Sequence, residues 1–189
     1  MGNTPLNVVA VCGSVQTPSR TLALLHAVLA RLQQVAPVRI RLLQLTELGP
    51  QFAGVLRREQ LPASAQEALA AIESADVLIA ASPVYRASYT GLFKHLFDFV
   101  HHQALRNTPV LLAATGGSER HALVIDHQLR PLFGFFQAHT LPVGLYASEA
   151  DFTDYRLTHP DILERIDRAL EPLAERFATL GANVANQVA

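Results

Sequence analysis

The stretch Asp76-Val77-Leu78-Ile79-Ala80-Ala81-Ser82, closed by Pro83-Val84-Tyr85, sets five consecutive apolar residues between a carboxylate and a turn. A strand with one wet face would alternate apolar with polar; a run without alternation reads as a strand covered on both faces, as in a parallel sheet. Val110-Leu111-Leu112-Ala113-Ala114, inside Thr108–Thr115, repeats the pattern. Working outward, Leu6–Cys12 is a Val-rich run that stops at Gly13-Ser14, and Val38–Leu43 and Thr140–Tyr146 are also of strand length. Helical patterns fill the gaps. Ser19–Val35 spaces Leu22, Leu25, Leu29 and Leu32 by threes and fours, which lines one helix face. Pro62–Ser74, Tyr89–His101, Arg120–Gln137 and Pro160–Leu180 complete the series.

Five strands alternating with five helices predict an α/β domain with helices on both faces of the sheet. The expected architecture is a flavodoxin-like doubly wound five-stranded parallel sheet of order 2-1-3-4-5. The chain of 189 residues matches one domain. Residues 1–180 are expected to form it, with 181–189 as a flexible tail of small and polar residues. Half the residues are hydrophobic, which suffices for a sizeable core. Lys+Arg of 15 against Asp+Glu of 16 argues against a broad nucleic-acid binder and against a polybasic membrane adaptor. The single cysteine, Cys12, excludes an intramolecular disulfide and a cysteine metal cluster, and suits a reducing cytoplasm. No secretory leader or membrane-length apolar run is read, so the expectation is a cytoplasmic protein.

In such a sheet, ligands sit beyond the carboxyl ends of the strands near the switch in strand order. Three segments therefore carry the functional reading. The first is Gly13-Ser14-Val15-Gln16-Thr17-Pro18-Ser19-Arg20-Thr21. Its hydroxyls surround a helix N-terminus whose first N–H groups lack intrahelical partners, and Arg20 adds a charge, a combination suited to phosphate. The competing reading is that Ser19 only caps the helix. Neither a Walker A loop nor GxGxxG is present. The second is Ser82-Pro83-Val84-Tyr85-Arg86-Ala87-Ser88-Tyr89-Thr90-Gly91, where Tyr85 either lies beside a planar ligand or packs on its neighbours. The third is Thr115-Gly116-Gly117-Ser118, where two glycines permit close backbone approach or simply make a turn. Lys94 and Asp98, four apart on a helix, read as a surface pair. His101 and His102, adjacent on a predicted helix, should point in different directions.

Taken in order, Gly13-Ser14 with Ser19-Arg20-Thr21, Pro83-Val84-Tyr85 with Gly91 and Lys94…Asp98, and Thr115-Gly116-Gly117 resemble the NAD(P)H-dependent FMN reductase family. The resemblance spans residues from about 7 to about 175. Within the family, Ala114 to His121 and Ile125-Asp126-His127-Gln128-Leu129-Arg130-Pro131 look most like the reductase components of two-component alkanesulfonate and methanesulfonate monooxygenases. The resemblance implies that Ser14, Ser19, Arg20 and Thr21 hold the FMN phosphate. It implies that Pro83, Val84, Tyr85 and Arg86 run along the flavin, and that Thr115, Gly116, Gly117 and Ser118 approach the isoalloxazine edge. NADH or NADPH would be the reductant, reduced FMN would pass to a flavin-dependent monooxygenase, and the assembly would be a homodimer or homotetramer. The alkanesulfonate-type reductases carry tyrosine where this chain has His127, a position associated there with a π-helical bulge at the subunit interface. His127 is thus a candidate pocket or interface residue, or a plain residue of a helix face.

No catalytic side chain is nominated, because hydride transfer between stacked cofactors uses chemistry that the cofactors carry. No Ser-His-Asp set, carboxylate pair or HExxH appears, and no metal site is expected. An FMN-retaining quinone or azo-compound reductase is the competing enzyme. A flavodoxin-type electron carrier is the competing class, disfavoured by the mild charge. A receiver-type signalling domain would need acidic residues where Gly13-Ser14 and Ser82-Pro83 stand.

Overall fold

The computed structural model describes residues 5–186. Its central sheet runs β2 (Val38–Gln44), β1 (Leu6–Cys12), β3 (Val77–Pro83), β4 (Pro109–Gly116), all parallel. The expected order 2-1-3-4-5 is present. Alternate residues of each buried strand feed opposite cores, which explains the runs without polar positions. Val9, Val11, Leu78, Ala80, Val110 and Leu112 face α2 (Leu45–Phe52), α3 (Ala63–Glu73) and α4 (Gly91–Asp98). Val8, Ala10, Val77, Ile79, Leu111 and Ala113 face α1 (Arg20–Val35) and α6 (Pro160–Asn186). The edge strand β2 keeps Arg39 and Arg41 exposed, and charges on an edge discourage pairing with another chain.

Several elements differ from expectation. The fifth strand, expected over Thr140–Tyr146, is two short strands, β5 (His139–Thr140) and β6 (Leu145–Ser148), both parallel to β4. Pro142 lies in the interruption and has no N–H to give a ladder. The carbonyls left there are taken by arginines: Arg130 Nη1 donates to Leu141 O at 3.1 Å and Arg165 Nε to Gly144 O at 2.8 Å. The helix expected over Arg120–Gln137 is a π-helical turn, Ile125–Leu129, followed by α5 (Arg130–Phe135). The Arg130 amide bonds to Ile125 O, one residue wider than α geometry. Pro131, in the first turn of α5, cannot donate to the carbonyl four residues back. The expected helix Tyr89–His101 is only α4, Gly91–Asp98. Beyond it the chain turns, so His101 and His102 do not splay from a helix; their ring centres lie 4.5 Å apart with the planes tilted by 33°.

Other elements are additional. The short helix α2 forms despite Gly49 and Pro50, because Leu45, Gly49 and Phe52 are buried against the core. A hairpin of β7 (Phe152–Thr153) and β8 (Arg156–Leu157) follows β6. The last helix continues past Leu180 to Asn186, through the start of the segment expected to be a tail, and residues 187–189 lie outside the described residues. Among the described residues, no helix is long and apolar enough to cross a membrane.

Candidate active site

The ends of β1, β3 and β4 open on one side of the sheet, and the segments that leave them converge. The Gly13 amide continues the sheet to Ala81 O at 2.7 Å. A Cβ at Gly13 would stand 2.7 Å from Phe93 Cδ2, so only glycine lets the chain pass beneath α4. Ser14 is buried and shapes its own loop, its Oγ donating to Gln16 O at 3.2 Å and accepting from Gln16 N at 3.3 Å. Ser19 caps α1: its Oγ accepts from Leu22 N at 3.2 Å. No acidic residue occupies the first turn of this helix, so its positive end is not offset by its own sequence.

Thr21 and Arg20 have partners from elsewhere in the chain. Thr21 Oγ1 lies 2.6 Å from Thr115 Oγ1 in a buried bond that ties α1 to the end of β4. The Arg20 guanidinium pairs with the Glu149 carboxylate and sits 5.1 Å from the centre of the Tyr155 ring. Both partners follow β6, and sequence reasoning nominated neither.

After β3, Val84 N donates to Thr115 O at 2.8 Å, holding the second loop against the third. Tyr85 and Ser88 exchange backbone hydrogen bonds of 2.8 and 3.1 Å around Arg86 and Ala87, whose φ angles are 50° and 67°. Positive φ at both central residues defines the tight turn usually built from Asn and Gly. Ser88 Oγ then donates to Gln128 Oε1 at 3.0 Å, linking this turn to the π-helical turn. After β4, a Cβ at Gly116 would fall 2.2 Å from the Tyr146 phenol oxygen, whereas a Cβ at Gly117 would meet nothing within 4 Å. The Tyr146 hydroxyl donates to Ser118 O at 2.6 Å. Burial, with the nearby Glu119 and Asp151 carboxylates, pushes this phenol up to about 12, so it stays a donor at physiological pH.

An open cleft results. Ser14, Ser19, Arg20 and Thr21 line it from the first loop, Pro83, Val84 and Tyr85 from the second, and Thr115, Gly116 and Gly117 from the third. Arg86 and Ser118 are not on its wall: Arg86 is exposed at the tip of its turn, and Ser118 anchors its loop through its carbonyl. Gln16, Pro18 and Tyr155 complete the wall. Gln16 and Pro18 were legible as loop residues; Tyr155 had no local signal. His127 is exposed and lies away from this cleft. It borders a second groove lined by Phe97, Leu132, Phe135 and Phe136. The expected Lys94–Asp98 surface pair is present.

The family described as NADPH-dependent FMN reductase matches residues 6–153. A relative from Pseudomonas fluorescens named NADH-dependent FMN reductase SfnF is 55% identical over 175 residues, covering 93% of this chain and 94% of its own. A relative from Pseudomonas aeruginosa named FMN reductase (NADPH) is 56% identical over 173 residues, covering 92% and 93%. The solved structure of an oxidoreductase from Corynebacterium diphtheriae is similar with a TM-score of 0.80 at 32% identity, covering 93% of this chain and 99% of its own. The chain therefore belongs to the NADPH-dependent FMN reductase family, oxidoreductases whose substrates are FMN and a reduced nicotinamide nucleotide.

Proposed function

We propose that the cleft binds FMN with its phosphate on the first loop and its ring along the second and third, and that the chain reduces it with NADH or NADPH. The observation that supports this is the pairing of two unlike ends in one cleft. One end offers the unoffset N-terminus of a 16-residue helix and the Arg20 guanidinium, which together attract a phosphate. The other is a slot between Pro83-Val84-Tyr85 and Gly116-Gly117, lined by backbone and an aromatic ring, which suits a planar heterocycle. The bound flavin supplies the hydride acceptor. The chain's own part is to orient it: Val84–Thr115 and Tyr146–Ser118 fix the two loops that flank the slot.

On this reading FMN is a diffusible substrate, and reduced FMN passes to a flavin-dependent monooxygenase acting on sulfonates, as the resemblance around Thr115–His121 and Ile125–Pro131 suggests. The protein would work in the cytoplasm, as a homodimer or homotetramer, with residues 1–180 as the catalytic domain. The apolar excess of the α5 region supports the assembly. Val124, Ile125, Leu129 and Phe133 fill the core, yet Leu123 and Phe135 remain 62% and 68% exposed on the opposite side.

The test is steady-state oxidation of NADH and of NADPH by flavin-stripped protein, with FMN, FAD or a quinone as acceptor. Free FMN should be the preferred acceptor, and adding a sulfonate monooxygenase should couple NAD(P)H oxidation to desulfonation. Turnover only with a quinone, on protein that retains FMN, would replace this reading by the quinone-reductase one.

A further inference from the structure

Arg20, the cation on the wall of the cleft, is already engaged by a carboxylate. Its guanidinium pairs with Glu149, which leaves β6 on a one-turn 3₁₀ helix, Glu149–Asp151. That turn is built, not loose. Asp151 is buried, and its carboxylate accepts from Ser148 N at 2.6 Å and Ser148 Oγ at 2.9 Å. Its carbonyl accepts from Thr158 N at 3.0 Å and His159 N at 3.3 Å, closing the segment that contains the β7–β8 hairpin. The hairpin tip turns through Asp154 and Tyr155, both with positive φ, and lays the Tyr155 ring beside Arg20. Arg20 thus has both a carboxylate and an aromatic ring as neighbours, carried by a segment anchored through Asp151.

We propose that Glu149 is an affinity-setting residue: its carboxylate competes with the phosphate of FMN for Arg20, so that the flavin is held weakly enough to leave after reduction. The proposal rests on the reading that the cleft takes FMN by its phosphate. A phosphate arriving at Arg20 must share or displace Glu149, and the two anions repel if both remain. Tyr155 contributes the other half, since the ring holds the guanidinium at the cleft whether it is paired to Glu149 or to the ligand. Because the Arg20–Glu149 pair is partly exposed, with side-chain exposures of 35% and 58%, the exchange is modest and reversible. An exposed pair of this kind, plus screened repulsion between the anions, corresponds to about three- to tenfold in affinity.

The test titrates FMN and riboflavin, by quenching of flavin fluorescence, against the wild type, Glu149→Gln, Glu149→Asp, Arg20→Ala and the Arg20→Ala/Glu149→Gln double variant. Glu149→Gln should bind FMN about three- to tenfold tighter than the wild type, with riboflavin unchanged and Glu149→Asp close to wild type. The gain should shrink with added salt, and should be largely lost when Arg20 is absent. In turnover, Glu149→Gln should lower the KM for FMN and slow release of reduced FMN. Unchanged or weaker FMN binding by Glu149→Gln overturns the proposal, as does an equal gain for riboflavin or a gain that persists undiminished without Arg20. A wild type that does not bind FMN at all would remove the reading beneath it, and is distinguishable because Glu149 plays no part in that result.

Discussion

The hydroxyl of Tyr146, on β6, donates to the carbonyl of Ser118 at 2.6 Å, while the same oxygen occupies the space a Cβ would need at Gly116. A strand outside the three loops thereby sets the shape of the loop that closes the planar end of the cleft. Tyr146→Phe removes the donor from that half-buried carbonyl, which costs about 0.5–1.5 kcal/mol. FMN and riboflavin should lose affinity together, by several-fold, because the loop meets the ring and not the phosphate; the same fluorescence titration measures both. The raised phenol pKa sets the sign of the pH effect. The contribution is complete below the unfolded tyrosine range and is lost only as pH rises through about 12. Between pH 6 and 9 the ratio of wild-type to variant affinity should therefore stay flat.

Arg20→Ala should behave oppositely. It removes the cation at the phosphate end, so FMN affinity should fall by roughly ten- to a hundredfold, matching a charge-assisted hydrogen bond of about 1.5–3 kcal/mol. Riboflavin, which lacks the phosphate, should bind nearly as before. Ser14→Ala should show the same selectivity more weakly, since Ser14 acts by closing its turn on Gln16. Equal losses for both flavins would show a collapsed loop instead.

His127 sits within the π-helical turn, two residues after Ile125, whose carbonyl takes the wide bond from Arg130 N. Deleting His127 removes the extra residue and should return the segment to α geometry. Gln128 would then be displaced from Ser88, loosening the turn that carries Tyr85. The expected outcome is a changed oligomer distribution by light scattering, FMN retained through purification as a yellow protein, and lower NAD(P)H oxidation. A variant with unchanged assembly, flavin content and turnover would assign the π-helical turn no role in the site.

Glu73 should govern acid stability. Burial disfavours its charged form, yet the hydrogen bonds from Arg58 and from the His101 amide outweigh it and hold the carboxyl below its ordinary range. Arg58 Nη2 donates to Glu73 Oε2 and His101 N to Glu73 Oε1, each at 2.8 Å, so the carboxylate fastens the turn after α4. A depressed folded pKa gives stability that is present above the unfolded glutamate range and lost as pH falls through the folded value. Glu73→Ala should cost about 1–3 kcal/mol at pH 7 in urea unfolding, and the gap to wild type should narrow below about pH 4.

Cys12 is buried on β1, and burial pushes its thiol up, which keeps it unreactive at neutral pH. Cys12→Ala should leave turnover within a few-fold at a small loss of stability. Loss of turnover in a folded variant would place the thiol in the chemistry.

The sheet and its order are readable in the sequence, because Val77–Ala81 and Val110–Ala114 carry the signature of strands covered on both faces. The three ligand loops were readable for a related reason: a parallel sheet must put the carboxyl ends of its strands on one side, so Ser14–Thr21, Pro83–Tyr85 and Thr115–Gly117 had to meet. What local pattern does not encode is which distant side chain answers a local defect. The break at Pro142 holds because Arg130 and Arg165 take up its carbonyls, and nothing near Leu141 announces them. The π-helical turn forms where Pro131 withholds a donor and a buried apolar face must still be kept inward. Arg20 was legible as a phosphate ligand, but its partners Glu149 and Tyr155 were not. Glu149 lies 129 residues further along the chain, and only the return of the segment after β6 over the first loop brings that carboxylate to the cation. Periodicity and turn chemistry are properties of neighbours in sequence; competition for a charge is a property of neighbours in space.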